Sequence, residues 1–407
     1  MSQHHESLED SGCSSGTLTV IITIECFEMP EEQVVWGNYT NPNSNPSGPN
    51  SGSGGPRGGI GSVIISPYDT EDLAKLDGIA TLLNLSRVEK DRLYHEYGIF
   101  TALWEFLEDD ASDEAQAFGK EAIEALKDNN NDGQPDGEVD FPNAIILDST
   151  LVNNQKIKCI YEKLKSLSNT LFKDIIDEQF GSSTENHVKI TLGNMPAQMP
   201  PGTVAFTYTT YDANSTNPLN SGDIKHIRID PNFVANASTL SIAKTIIHEF
   251  IHAELLDRCI KLGLIQGVNT LGYTVLNSNP TINTIPQAIF NQLLIEYNAY
   301  LPPPNFNSQW NHDLFNALNY RTELAQNLES IHPLLNSTTN DFLTSVNNDP
   351  YIVGGPYTLQ DLMNYISWGG LEGTEDYNTT ISNDPTKLAK QQYIGTVLET
   401  KYTHTCN

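Results

Sequence analysis

Apolar residues recur along this chain at two periods, and the change of period divides it. Between Thr70 and Lys127 they step by three and four: Leu73, Leu76, Ile79, Leu82 and Leu83, then Ile99, Leu103, Phe106 and Leu107. One face of a 3.6-residue helix collects such positions, so the stretch predicts a small helical bundle. Ser112 stands as N-cap of its last helix, 112–127, with Glu114 and Glu121 in the first half. A long amphipathic helix is predicted over 154–180, striped by Ile157, Ile160, Leu164, Leu167, Leu171, Ile175 and Ile176 and ended by Gly181.

From His187 the period becomes two. Val188, Ile190 and Leu192 share one face of a first strand. Val204, Phe206 and Tyr208 share one face of a second, and Ile227 and Ile229 one face of a third. Ser238 or Thr239 then caps a helix that reaches Gly263. Near the start, 17–27 is β-branched and predicts a strand. Residues 41–62 are almost wholly Asn, Pro, Ser and Gly, a composition that cannot bury enough surface to fold. The expected organisation is a tail with one strand (1–40), a linker (41–66), a helical domain ending in an Asp/Asn-rich loop (67–140) and an α+β domain (141–407).

The last of these carries the chemistry. His248-Glu249-Phe-Ile-His252 lies inside the apolar helix 239–263. Two histidines four residues apart project from one helical face, one turn apart, and can bind the same metal ion. Glu249 points to the flank of that metal, where it can take a proton from a water beside it. This is the signature of zinc hydrolases. A catalytic zinc needs three protein ligands and one open position. Two helical residues are candidates for the third: Glu296, in Leu293-Leu-Ile-Glu-Tyr-Asn, and His312, which opens a helix expected to reach about Glu329. Tyr320, eight residues past His312, falls on the same face of that helix and can offer its hydroxyl to an oxyanion. Trp368-Gly369-Gly370-Leu371 reads as a tight turn with a buried Trp that can line the cleft.

Asp128, Asn130, Asp132, Gln134 and Asp136, with Gly133 between, follow the alternating spacing of a calcium loop. The twelfth position is Val139 and not a bidentate acid, so the rival reading is a polar turn. Five cysteines are present without a Cys-x-x-Cys pair, which excludes a cysteine zinc knuckle. Cys13 and Cys26 flank one strand and can pair; Cys159 and Cys259 read as buried small hydrophobes. His226, His332 and His404 read as surface or partly buried. A net charge of −29 disfavours nucleic acid as a partner and fits an extracellular or high-salt setting. No signal peptide and no membrane span are visible, and nothing in the pattern speaks to oligomeric state.

His-Glu-Phe-Ile-His-Ala, followed by His312-Asp-Leu-Phe315, resembles the SprT-like metallopeptidases. With Trp368-Gly-Gly-Leu371, the set also resembles uncharacterised zincin-like domains of bacterial surface or phage-associated proteins. The likeness covers roughly 140–375. It departs in a longer spacer to His312, in Asp313 where a Gly is usual and in lacking a zinc ribbon. The resemblance implies a zincin-like catalytic domain: a helix, a small mixed sheet, the active-site helix and a helical C-terminal part, preceded here by the helical domain. It further implies Zn²⁺ held by His248, His252 and His312, Glu249 as general base, and a peptide or protein substrate laid along an edge strand. The competing expectations are an inactive zincin-shaped module of a surface protein and a metal hydrolase acting on some other amide.

Overall fold

In the computed structural model the described residues are 70–129, 135–180, 186–197, 199, 201–209, 224–261, 265–268, 274–276, 312, 315, 318–335, 339–352 and 354–406. All belong to one compact unit, Ile65–Asn407. The expected strand at 17–27 and the linker lie outside them, as do Cys13 and Cys26.

The periodic stretch after Thr70 folds as α1 (Thr70–Leu82), α2 (Arg87–His95), α3 (Tyr97–Asp109) and α4 (Asp113–Ala125). The Ser112 hydroxyl accepts from the Ala115 N–H, the expected N-cap. Helix α2 is the addition: it buries only Leu93 and shows no apolar period. After a loop come two three-residue strands, β1 (Glu138–Asp140) and β2 (Ile145–Leu147), too short for alternation to reveal. A short turn, α5 (Ser149–Val152), leads to α6 (Gln155–Lys165) and α7 (Leu171–Asp174), and a π-turn over Ile175–Phe180 follows.

The single helix expected over 154–180 is therefore broken. The Ser166 hydroxyl donates to the Lys163 carbonyl at 2.8 Å where the first helix ends. Asn169 adopts φ +55° and the Thr170 hydroxyl caps the next turn at Lys173 N.

The three expected strands form as β3 (Val188–Leu192), β4 (Ala205–Thr209) and β5 (Lys225–Ile229). The short α8 (Pro231–Asn236) and the long α9 (Thr239–Lys261) follow. The five strands make one mixed sheet in the order β1-β2-β3-β5-β4, with β2, β3 and β5 parallel and both edge strands antiparallel. The fold is α+β. A separate hairpin pairs β6 (Ile265–Val268) with β7 (Thr274–Leu276). The C-terminal helices are α10 (Tyr320–Leu335), α11 (Thr339–Asn347), α12 (Leu359–Ile366), α13 (Glu375–Tyr377) and α14 (Pro385–Lys401).

Strand parity assigns the two faces of the sheet. Ile146 and the preceding Ala144 join the core of α1–α4, where Phe118 also stacks on His187 at 4.7 Å and Glu121 pairs with Lys189. Ile145, Leu147, Val188, Ile190, Ile227 and Ile229 point the other way, into the larger core around α6, α9 and the C-terminal helices.

Helix α9 runs through this larger core. Its apolar residues are buried on every side, from Leu240 through Phe250 to Ile260, so it carries no single stripe. Lys225 of β5 and Asp257 of α9 form a 2.8 Å ion pair with side-chain exposures of 0% and 2%. Such a pair is tolerated only while its geometry holds, so it ties the sheet to the helix. The N-terminus of α9 is capped twice. The Ser238 hydroxyl accepts from Ser241 N at 3.2 Å, as expected. In addition, Ser238 N donates to Glu399 Oε2 at 2.8 Å and Thr239 N to the Thr403 carbonyl at 2.9 Å. The C-terminal segment thus completes the cap, and Cys406 at its end is disulfide-bonded to Cys159 of α6. This corrects the reading of Cys159 as a buried thiol; Cys259 alone keeps that role. His332 is likewise fully buried, its Nδ1 2.8 Å from the Tyr402 hydroxyl. No described helix is long and apolar enough to cross a membrane.

Candidate metal centre

One helical turn of α9 separates His248 from His252, and both side chains are buried. Their Nε2 atoms lie 2.9 Å apart, with the rings nearly perpendicular at 81°. Two imidazole nitrogens at that distance either share a proton or direct lone pairs at a common cation. His312 brings a third nitrogen, and the three ligand atoms all lie within 4.8 Å of one another, close enough to hold one metal ion. Of the two candidates for a third ligand, His312 is the one the structure brings to the pair. Glu296 lies outside the described residues. Burial, then the charge of neighbouring imidazoles, holds His248 and His252 well below the usual imidazole range; burial holds His312 at about 4. All three rings are neutral at pH 7, the form that binds metal.

The floor of the cluster is Phe315, fully buried, its ring 4.9 Å from His248 and 5.7 Å from His252. It follows His312 by three residues, and both positions are helical, so the nitrogen and the apolar support come from neighbouring positions of the sequence. The helix expected from His312 to about Glu329 is interrupted. Asn319 takes φ +66° and α10 starts afresh at Tyr320, so the eight-residue spacing does not put His312 and Tyr320 on one helical face. The Tyr320 hydroxyl instead bonds the Glu254 carboxyl, which also pairs with Arg258. Glu254 lies two positions past His252, so this trio joins α10 to α9.

The turn at Trp368 is present, with Trp368 buried under the Arg321 guanidinium at 4.4 Å. Gly370 has φ +95° and donates its N–H to Glu372 Oε2 at 2.8 Å. A Cβ placed there would lie 3.2 Å from His248 Cε1. Lys244, one turn before His248, donates to the Gly369 carbonyl at 3.1 Å and is held below its usual range by burial. The Gly-Gly turn therefore backs the imidazole. Gly370→Ala is expected to weaken metal affinity by about 10–100-fold, measured by competition with a chelator. Gly395→Ala, whose Cβ meets nothing within 4 Å, is expected to leave it unchanged.

Glu249 is buried between α9 and β4. The Thr207 hydroxyl lies 2.7 Å from its Oε2 and 3.0 Å from its carbonyl oxygen. Burial pushes the carboxyl up to about 7, and the Thr207 hydrogen bond offsets part of that. The face of β4 with Phe206 and Tyr208 is turned away from α9. Phe206 stacks on Tyr208 at 4.9 Å and Tyr208 on His226 at 5.1 Å. Thr207 was not foreseen; its approach to Glu249 depends on β4 lying beyond β5 at the sheet edge. Of the calcium-loop positions, Asn130, Asp132 and Gln134 lie outside the described residues. Asp128 and Asp136 flank that gap, and Asp136 Oδ2 accepts from both nitrogens of Asn129 at 2.9 Å. No protein-family model, no curated protein and no solved structure matches this chain.

Proposed function

We propose that the chain is a zinc-dependent peptidase with a zincin-like catalytic domain. The observation that carries this is the convergence of three imidazole nitrogens on α9 and the His312 turn, with a carboxylate held beside them on the same helix. The donor set suits zinc. Two nitrogens at about 2.0–2.1 Å from a tetrahedral zinc lie roughly 3.3 Å apart, and the His248–His252 pair stands at 2.9 Å. Zinc, when bound, supplies a Lewis acid and a water acidic enough to lose a proton near neutral pH.

The chain's own residues do the rest. Glu249 Oε2 is taken by Thr207, while Oε1 has no hydrogen-bond partner among the described residues and is free to accept the water's proton. Burial makes the carboxyl a stronger base than a free one, which suits it to take that proton and pass it to the leaving amine. Strand β4 receives the substrate. Asp230 N donates to the Val204 carbonyl, so in the antiparallel ladder Val204, Phe206 and Tyr208 turn their main-chain groups toward β5. Ala205, Thr207 and Thr209 turn theirs outward, and no described strand pairs with that edge. An extended peptide can add there. The disulfide fits an oxidising compartment outside the cytosol.

Purified protein is expected to hold one zinc per chain. It is also expected to cut an unfolded protein substrate, to stop on chelation and to recover on adding zinc. Absence of zinc refutes the reading. Zinc without cleavage of any peptide would favour a binding module.

A further inference from the structure

We infer that Thr207 is a positioning residue that fixes the general base and the substrate from one point of β4; this rests on the peptidase reading above. Three positions of β4 turn their main-chain N–H and C=O to the open edge: Ala205, Thr207 and Thr209. Side chains at those positions share one face, the face toward α9. Ala205 has no hydroxyl, and Thr209 spends its own on the Ile224 carbonyl at 3.3 Å. Thr207 alone of the three reaches Glu249, and it does so at two atoms. Its Oγ1 is 3.0 Å from the carbonyl oxygen, which belongs to the helix backbone, and 2.7 Å from Oε2, at the far end of the side chain.

The second contact matters because, beyond packing, it is the hydrogen bond that orients the Glu249 carboxylate among the described residues. No lysine or arginine among the described residues pairs with it, and three rotatable bonds separate its carboxyl from α9. With Oε2 fixed by the hydroxyl, the free oxygen has one direction. The same residue offers its main-chain N–H and C=O at the edge where a peptide adds. A peptide paired to Thr207 is therefore held at a set distance from the base. The substrate needs no contact with Glu249 to be in register with it.

Removing the hydroxyl separates these two functions. Thr207→Val keeps the β-branched shape and the main-chain edge but not the hydrogen bond to Glu249. It is expected to lower kcat by about 10–100-fold, with KM and metal content unchanged. Thr207→Ser restores the hydroxyl and is expected to recover kcat to within about threefold. Crystal structures of the two variants give a readout that does not depend on turnover: the Glu249 carboxylate should leave its position in Thr207→Val and hold it in Thr207→Ser. A carboxylate that stays in place in Thr207→Val, or a Thr207→Ser variant as impaired as Thr207→Val, overturns the inference. If the wild type cuts no peptide, the peptidase reading fails, and the carboxylate positions still decide whether Thr207 holds Glu249.

Discussion

Glu249→Gln is expected to keep its metal and to lose turnover by about 10²–10⁴-fold, the range a positioned general base contributes. The amide has the size and shape of the carboxylate, and its oxygen can still accept from the Thr207 hydroxyl that now meets Oε2. The three histidines do not depend on it for their placement: Phe315 and the Gly370 turn support them from other elements. What the amide cannot do is accept a proton from water. His248→Ala is the complementary variant. It removes one of the two α9 nitrogens, so it should lose metal and turnover together. Elemental analysis and kcat measured on the same preparations separate the two cases. Glu249→Gln that still turns over at the wild-type rate would sink the assignment of the base; Glu249→Gln that arrives without metal would show that Glu249 supports the cluster instead.

The parts of this site that were legible in the sequence are those fixed by local geometry. His248, Glu249 and His252 lie within five residues, and the helical repeat alone sets their directions. The third histidine was legible only as one of two candidates, His312 and Glu296, because His312 lies 60 residues downstream of His252. Thr207 was not legible. Its contact with Glu249 exists only because β4 lies beyond β5 at the sheet edge, an order that alternation within one strand cannot report. Phe206 and Tyr208 dominate the apolar pattern of that strand, yet their face is turned away from α9. The α+β class followed from the switch of period at His187. The break around Asn169 and the new start at Tyr320 did not, since an asparagine at positive φ lies at each inside an otherwise periodic run.

The pairing of Cys159 with Cys406 was equally out of reach, and it leads to the largest expected change in stability. The bridge spans a sequence separation of 247 residues. In the chain-entropy account, closing a loop of that length restricts the unfolded chain enough to contribute about 5 kcal/mol. Native contacts add to this. Cys406 lies three residues past Thr403 and seven past Glu399, whose oxygens cap the first turn of α9. An unpinned C-terminus would fray, and the cap on α9 would open with it. The double variant Cys159→Ser/Cys406→Ser is therefore expected to melt roughly 5–10 °C below the wild type, as measured by calorimetry. Treating the wild type with a dithiol should reproduce the shift. Cys259 does not complicate the comparison: burial pushes its thiol up to about 12, so it stays protonated and does not exchange with the bridge. Equal melting temperatures for the double variant and the wild type would mean that the helices hold the C-terminus in place without the bridge, and that the cap of α9 rests on packing alone.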